Sequence, residues 1–369
     1  MKALSLNFKD FYHSIWERII ASSELTDTTL RACRLLLPRL YLLIYLPSYN
    51  WIANMPDAWY DPAPLSSAMF FSSFPDLWIL QITQTLLVLC LALLMAGVKP
   101  RLTGLLFCGL HLFITSFEYS AGKIDHVAHL FLLCFFSFSL GNWGSSIPTK
   151  FRLPIPCGTL LALLLTFGMF TAGFEKAIRW IDFNSNTSGF LSWYFSGYYN
   201  LGRDQLLAPF VTEIPKLGLE FMDYSAVALE LSPLACLLLG RRYWITWCAI
   251  ACSFHAGTTL LLNISFPYQF FGYLPFIIPG YLAARIRIPA AHIVYLALAL
   301  STYRIATIWI SEIPLLREAL LPTDLATLSF DLCVWIGLAS IGLLKALQLV
   351  KSGQLTSFDF KGHENRSLS

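Results

Sequence analysis

The 369 residues are 56% hydrophobic and only 13% charged, and 25 basic side chains nearly balance 22 acidic ones for a net charge of +3. A typical soluble domain is about a quarter charged, so this composition excludes an ordinary soluble globular protein. A near-neutral chain without a dense lysine or arginine run also excludes a nucleic-acid-binding surface.

The first thirty residues lack a basic region, apolar core and cleavage site in series, so they are expected to be retained rather than removed as a signal peptide. Phe8, Phe11, Tyr12, Ile15, Trp16, Ile19 and Ile20 recur at helical spacing opposite Lys9, Asp10, His13, Glu17 and Arg18. Residues 1–30 therefore read as an amphipathic helix, either lying in the membrane interface or docked on the membrane domain.

From about Arg34 onward, apolar windows of ~20 residues recur, each long enough to cross a ~30 Å hydrocarbon layer as a helix. Hydropathy places about ten spans, centred near residues 43, 87, 110, 136, 166, 230, 252, 275, 300 and 340. The expected fold is all-α: a polytopic transmembrane helical bundle over residues 31–350, followed by a polar tail over 351–369.

The basic residues sort to alternate joints: Arg31 and Arg34, Lys99 and Arg101, Lys150 and Arg152, Arg241 and Arg242, Arg285 and Arg287. None of these short joints contains an acid. The positive-inside rule then puts both termini and these joints in the cytoplasm. The longer, aromatic and acidic connections, 54–76, 118–126, 174–218 and 312–325, fall on the opposite face, where function is expected. The 174–218 connection, with Trp180, Trp193, Tyr194, Tyr198 and Tyr199, is too aromatic to lie free in water and is expected to pack back on the domain.

The nine cysteines are scattered through apolar segments and form neither a disulfide framework nor a CxxC pair. Two N-x-Ser sequons, at Asn186 and Asn263, carry weight only in a eukaryotic secretory pathway.

Ionisable groups inside apolar segments are costly and ask for a partner or a purpose. In "EYSAGKIDHVAHLFLLCFFSFS", residues 118–139, Asp125, His126 and His129 share a helix face at spacings of three and four, so a carboxylate can orient an imidazole. The alternative is a capping Asp125 with interfacial histidines. In "GFEKAIRWID", residues 173–182, Lys176 closes an apolar span; a desolvated amine there would serve as a base, whereas a lysine at a helix end commonly snorkels to water. Cys248, Cys252, His255 and Thr259 form one stripe that is expected to face the bundle interior, with His255 either functional or bonded to a carbonyl. Glu230, seven residues after Asp223, and Arg304 are expected in structural ion pairs, as are His111 and Glu118.

Taken in order, the Asp125–His126 pair, "GFEKAIRW", "ALELSPLACLLLGRR" and "SFHAGTTLLLNISFPY" resemble the membrane domain of the vitamin K-dependent gamma-carboxylases and their compact bacterial relatives, the HTTM proteins. The match covers about residues 30–285. The resemblance implies that Lys176 is the base that deprotonates a reduced isoprenoid quinone. It further implies that His126 and His255 assist around the quinone head group, and that Asp125, His129, Glu230 and Trp180 line the substrate site. Carboxylases of this kind continue into a large lumenal portion, which these residues do not include, so carboxylation of a protein substrate is not expected.

The expected protein is thus a multi-pass enzyme of a bacterial inner membrane, acting on a quinone or similar lipid at the extracytoplasmic face, with no metal. The alternative is a non-catalytic accessory protein for maturation, export or immunity of a small secreted peptide. A haem or metal protein using His111, His126, His129 and His255 is a third reading, distinguishable by its absorbance spectrum. A transporter is the residual option, because no inverted repeat is visible.

Overall fold

The computed structural model describes residues 8–121, 129–145, 155–184, 186–278 and 289–351. These form α1 (Phe8–Ser23), α2 (Asp27–Leu40), α3 (Leu77–Ala96), α4 (Pro100–Tyr119), α5 (His129–Leu140), α6 (Cys157–Trp180) and α7 (Gly189–Leu201). They continue with α8 (Lys216–Leu231), α9 (Pro233–Leu239), α10 (Arg241–Leu262), α11 (Phe270–Ile277), α12 (Ala290–Trp309), α13 (Leu316–Leu320) and α14 (Asp324–Lys351). There is no strand among the described residues.

Six of these helices, α3, α4, α6, α10, α12 and α14, are long and apolar enough to cross a membrane, and α8 with α9 adds a seventh as a span bent by 53°. The protein is a multi-pass α-helical membrane protein. The segments expected to span near residues 43, 136 and 275 are not among these seven. Near 43, α2 passes Pro38 and widens into a π turn over Tyr41–Tyr45 that stops before Pro47. α5 has an apolar helical run of only Leu130–Leu140 among the described residues. α11 has eight residues, Pro275 among them, all buried. The hydropathy of these segments reflects burial against other helices as much as contact with lipid.

The bend in α8–α9 has a local cause. Pro233 has no N–H to give and its ring obstructs the preceding turn, so the helix ends at Leu231 and restarts. The carbonyl freed at Leu229 is taken by the Trp247 indole N–H of α10 at 3.0 Å.

The basic joints do gather at one end. The Arg31 guanidinium donates to the Gly144 carbonyl at 2.8 Å, Arg101 to Leu140 at 2.5 Å and Arg241 to Glu24 at 2.8 Å, while Arg34 packs against Gly97. The heads of Arg31, Arg101 and Arg241 thus each take a carbonyl near a helix end. Lys150, Arg152, Arg285 and Arg287 lie outside the described residues. By the positive-inside rule this end is the cytoplasmic one. At the other end, Asp61 N–H bonds Ser120 O at 2.9 Å, and Asn50 and Gln81 both donate to Ile308 O.

The N-terminal helix is partly docked. Ser22 and Ser23 of α1 bond Leu237 O and Thr159 Oγ1 at 2.7 and 2.9 Å, while Phe11 and Tyr12 remain about half exposed. Its C-terminal end is thus docked on the domain, as one of the two readings of its sequence has it.

α14 holds the short α11 in place. A helix this short leaves most of its terminal N–H and C=O groups unpaired, and its dipole favours negative charge at the start and positive charge at the end. α14 supplies both. Its Asp331 accepts a hydrogen bond from Ser265, just ahead of α11, and its Lys345 donates to the carbonyls of Phe276 and Ile278 at 2.6 and 2.9 Å where α11 ends. Lys345→Met should strand those two acceptors and destabilise the protein by roughly 1–3 kcal/mol, read as a lowered melting temperature in detergent. An unchanged melting temperature would show that water replaces the ammonium.

Candidate functional site

α6 presents Met169, Gly173, Lys176 and Trp180, spaced four, three and four, toward Tyr273 of α11, Glu230 of α8 and Trp193 of α7. Gly173 allows the approach: a Cβ there would come within 2.7 Å of the Glu230 Cβ. Across this contact the Lys176 ammonium meets both Glu230 oxygens, at 2.5 and 2.6 Å. The two side chains are only 15% and 5% exposed. Lys176 lies about 28 Å along α6 from its start at Cys157 at the usual helical rise.

Two indoles roof the pair. The Trp180 ring centroid is 5.5 Å from Lys176 Nζ and that of Trp193 is 5.7 Å away, with the two rings edge to face at 6.2 Å. An ammonium so placed gains from the ring quadrupoles as well as from the carboxylate, and more so because water is scarce. Trp193 comes from α7, inside the long outer connection. That connection does pack back on the domain. Tyr194, Ala208, Val211 and Leu262 form its own small core, and the Asn263 side chain both accepts from Gln205 N–H at 2.6 Å and donates to Gln205 O at 2.9 Å. Asn263, one of the two sequon asparagines, is therefore buried in a structural role.

Beneath the pair lies the second candidate. Cys248, Cys252, His255 and Thr259 are all buried, as their stripe predicts. His255 Nε2 is 3.2 Å from the Tyr273 hydroxyl, which in turn points at Met169 Sδ at 3.8 Å. The imidazole bonds this hydroxyl, not a carbonyl as one of its two readings has it, and it packs on Trp335 at 4.5 Å. His255 Nδ1 is buried with no hydrogen-bond partner among the described residues. Lys176, Glu230 and Trp180 meet where α6 and α8 pack, and Tyr273, the partner of His255, reaches Met169 on the same helix α6.

Asp125 and His126 lie outside the described residues, as does the His129 side chain, so their part in the site rests on sequence alone.

The surroundings of Lys176 differ from those of a lone desolvated amine. Both Glu230 oxygens touch the ammonium, a charge-assisted contact. Glu175 and Arg179, one turn apart on the outer face, form an exposed pair at 3.4 Å that contributes little to stability. Past α6, the Asp182 carboxylate accepts from the Thr187 hydroxyl at 2.5 Å and Asn184 N–H at 3.0 Å, and these bonds hold its carboxyl below its ordinary range.

Two expected ion pairs have other partners. Arg304 donates to the backbone carbonyls of Leu46 and Pro47, at 2.7 and 3.4 Å, where the π turn ends. His111 Nε2 meets the Tyr41 hydroxyl at 2.7 Å. Sequence reasoning passed over Tyr273, Asp331 and Lys345, although the last two were signalled by the same rule that drew attention to Lys176: a charge within an apolar span.

No group of three or more His, Cys, Asp or Glu side chains able to hold a metal occurs among the described residues.

Breaking the pair from one side strands a charge in hydrocarbon. Glu230→Leu or Lys176→Met alone should destabilise by on the order of 3 kcal/mol, whereas the double variant should recover most of that loss. Thermal unfolding of the four proteins in one detergent tests this; additive losses would mean that the pair is not coupled. In comparisons, the chain matches no protein-family model, no curated protein and no solved structure.

Proposed function

We propose that the Lys176–Glu230 pair is the acid–base centre of a membrane enzyme that acts on a reduced isoprenoid quinone, or a lipid with a similar head group, at the outer face. The observation that carries this reading is the pair itself: a nearly buried ammonium–carboxylate contact under two indoles, near the end of a long apolar helix. The ordered sequence motifs, which resemble the HTTM proteins and the gamma-carboxylase membrane domain, support the same reading.

The chemistry follows from the pairing. When Lys176 passes its proton to Glu230, the pair becomes neutral and the amine gains a lone pair in a site of low dielectric. A hydroquinone hydroxyl can then yield its proton to Lys176, leaving a hydroquinone anion beside a restored ammonium that stabilises it. Dioxygen is the oxidant expected to consume that anion, with epoxide or quinone as product. His255 and Tyr273 supply a hydrogen-bonding floor. His126, with Asp125 and His129, is assigned to the rim of the site by the resemblance. The chain is assigned to the inner membrane of a bacterium, with this site facing outward.

Purified protein given reduced menaquinone and oxygen should take up oxygen and yield an oxidised quinone. Lys176→Ala should lower the rate at least about 100-fold, the usual weight of a general base, and Glu230→Gln should also lower it. Equal turnover by the Lys176 variant would remove the assignment.

A second reading draws on the outer surface. Leu65 and Phe70 in the 54–76 connection are 100% and 89% exposed, an apolar display that suits a small secreted peptide as client. An accessory protein of that kind should copurify with a short peptide and tolerate Lys176→Ala.

A further inference from the structure

We infer that Asp223 is a positioning residue of the Lys176 site: its carboxylate latches helix α7 down, so that Trp193 closes the roof over the ammonium and limits access to it. The inference that this latch governs turnover rests on the function proposed above; the latch itself does not.

Asp223 lies on α8 seven residues before Glu230, two turns along the same face, and it is completely buried. A carboxylate at that depth demands donors. Its two oxygens take the first two backbone N–H groups of α7, Gly189 at 3.0 Å and Phe190 at 2.8 Å. Ser188 takes a third, accepting from Leu191 N–H at 3.2 Å. Three of the four N–H groups left open at a helix start are thus satisfied, two of them by a charge from another helix, placed where the dipole of α7 favours it.

The register of this contact sets the roof. Trp193 follows Gly189 by four residues, about one turn, so fixing the start of α7 fixes where that indole falls. Gly189 itself lies flat against Trp180: a Cβ there would come within 2.2 Å of the indole carbons. One short stretch of α7 therefore contacts both the latch and the first roof indole, and the second indole is one turn away.

The far end of α7 has a different character. Its C-cap is Gly202, in the left-handed region at φ 63° with open space around it. The outward side of α7 carries Tyr199 at 68% and Trp193 at 47% exposure, the aromatic surface of a helix resting in the interface. α7 is thus held at its start by a buried charge and ends at a glycine.

Acetylation of the full-length protein in detergent by an N-hydroxysuccinimide ester of acetate, read by peptide mass spectrometry, tests this. Lys99, at the opposite end of the molecule, serves as the internal reference. Asp223→Ala should raise the Lys176 rate relative to Lys99 about fivefold, the weight of a lost helix cap, and Asp223→Asn, which keeps one acceptor, should raise it less. Adding Trp193→Ala to Asp223→Ala should bring no further increase. Should Asp223→Ala not fold, Ser188→Ala loosens the same helix start from the other side and should raise the ratio about twofold. An unchanged ratio in the folded variant would overturn the latch. Turnover by Lys176→Ala would overturn the proposed enzyme and leave the labelling result standing.

Discussion

A charge in hydrocarbon must be met from within the protein, and the whole arrangement depends on how the chain meets that demand. Lys176 is answered by Glu230, Lys345 by the carbonyls that end α11, Arg304 by the carbonyls that end the π turn, Asp331 by Ser265 and Asp223 by the start of α7. Two of the three cations are spent on backbone carbonyls, and one of the three acids on backbone N–H groups. Half of these charges thus serve the backbone at the ends of helical segments, because a bundle built from interrupted helices leaves peptide groups that lipid cannot satisfy.

The Lys176–Glu230 contact is the exception. Of the six charges just named, these two ionisable side chains meet each other directly, and no helix end needs the contact. It costs desolvation on both sides and caps nothing. Gly173 permits the close helix approach, and the indoles of Trp180 and Trp193 keep water sparse.

The outer connection turns this contact into an enclosed site. Had residues 174–218 been a plain linker, Lys176 would have snorkelled to water, the ordinary fate of a lysine near a helix end. Instead α7 lies across the pair, fixed by Asp223 at one end and followed by the Asn263–Gln205 clamp that ties the connection to the end of α10. Asp223 and Glu230, two turns apart on α8, place the start of α7 and the Lys176 contact in one frame.

The sequence by itself determined that the chain is an α-helical membrane bundle, which joints gather at one end, and that Lys176, Glu230 and His255 stand out. Composition and charge placement are local, additive properties that survive without knowing which helices touch. The stripe Cys248, Cys252, His255 and Thr259 was legible for the same reason, since helical periodicity alone names a face. Only the tertiary structure decided that Glu230 is the partner of Lys176, that Trp193 roofs the pair and that Asp223 holds that roof, because each joins residues more than thirty positions, or a whole helix, apart. It also decided which apolar segments form helices long enough to cross a membrane. Hydropathy cannot tell a segment buried among helices, as α11 is, from one that faces lipid, because both surroundings exclude water equally.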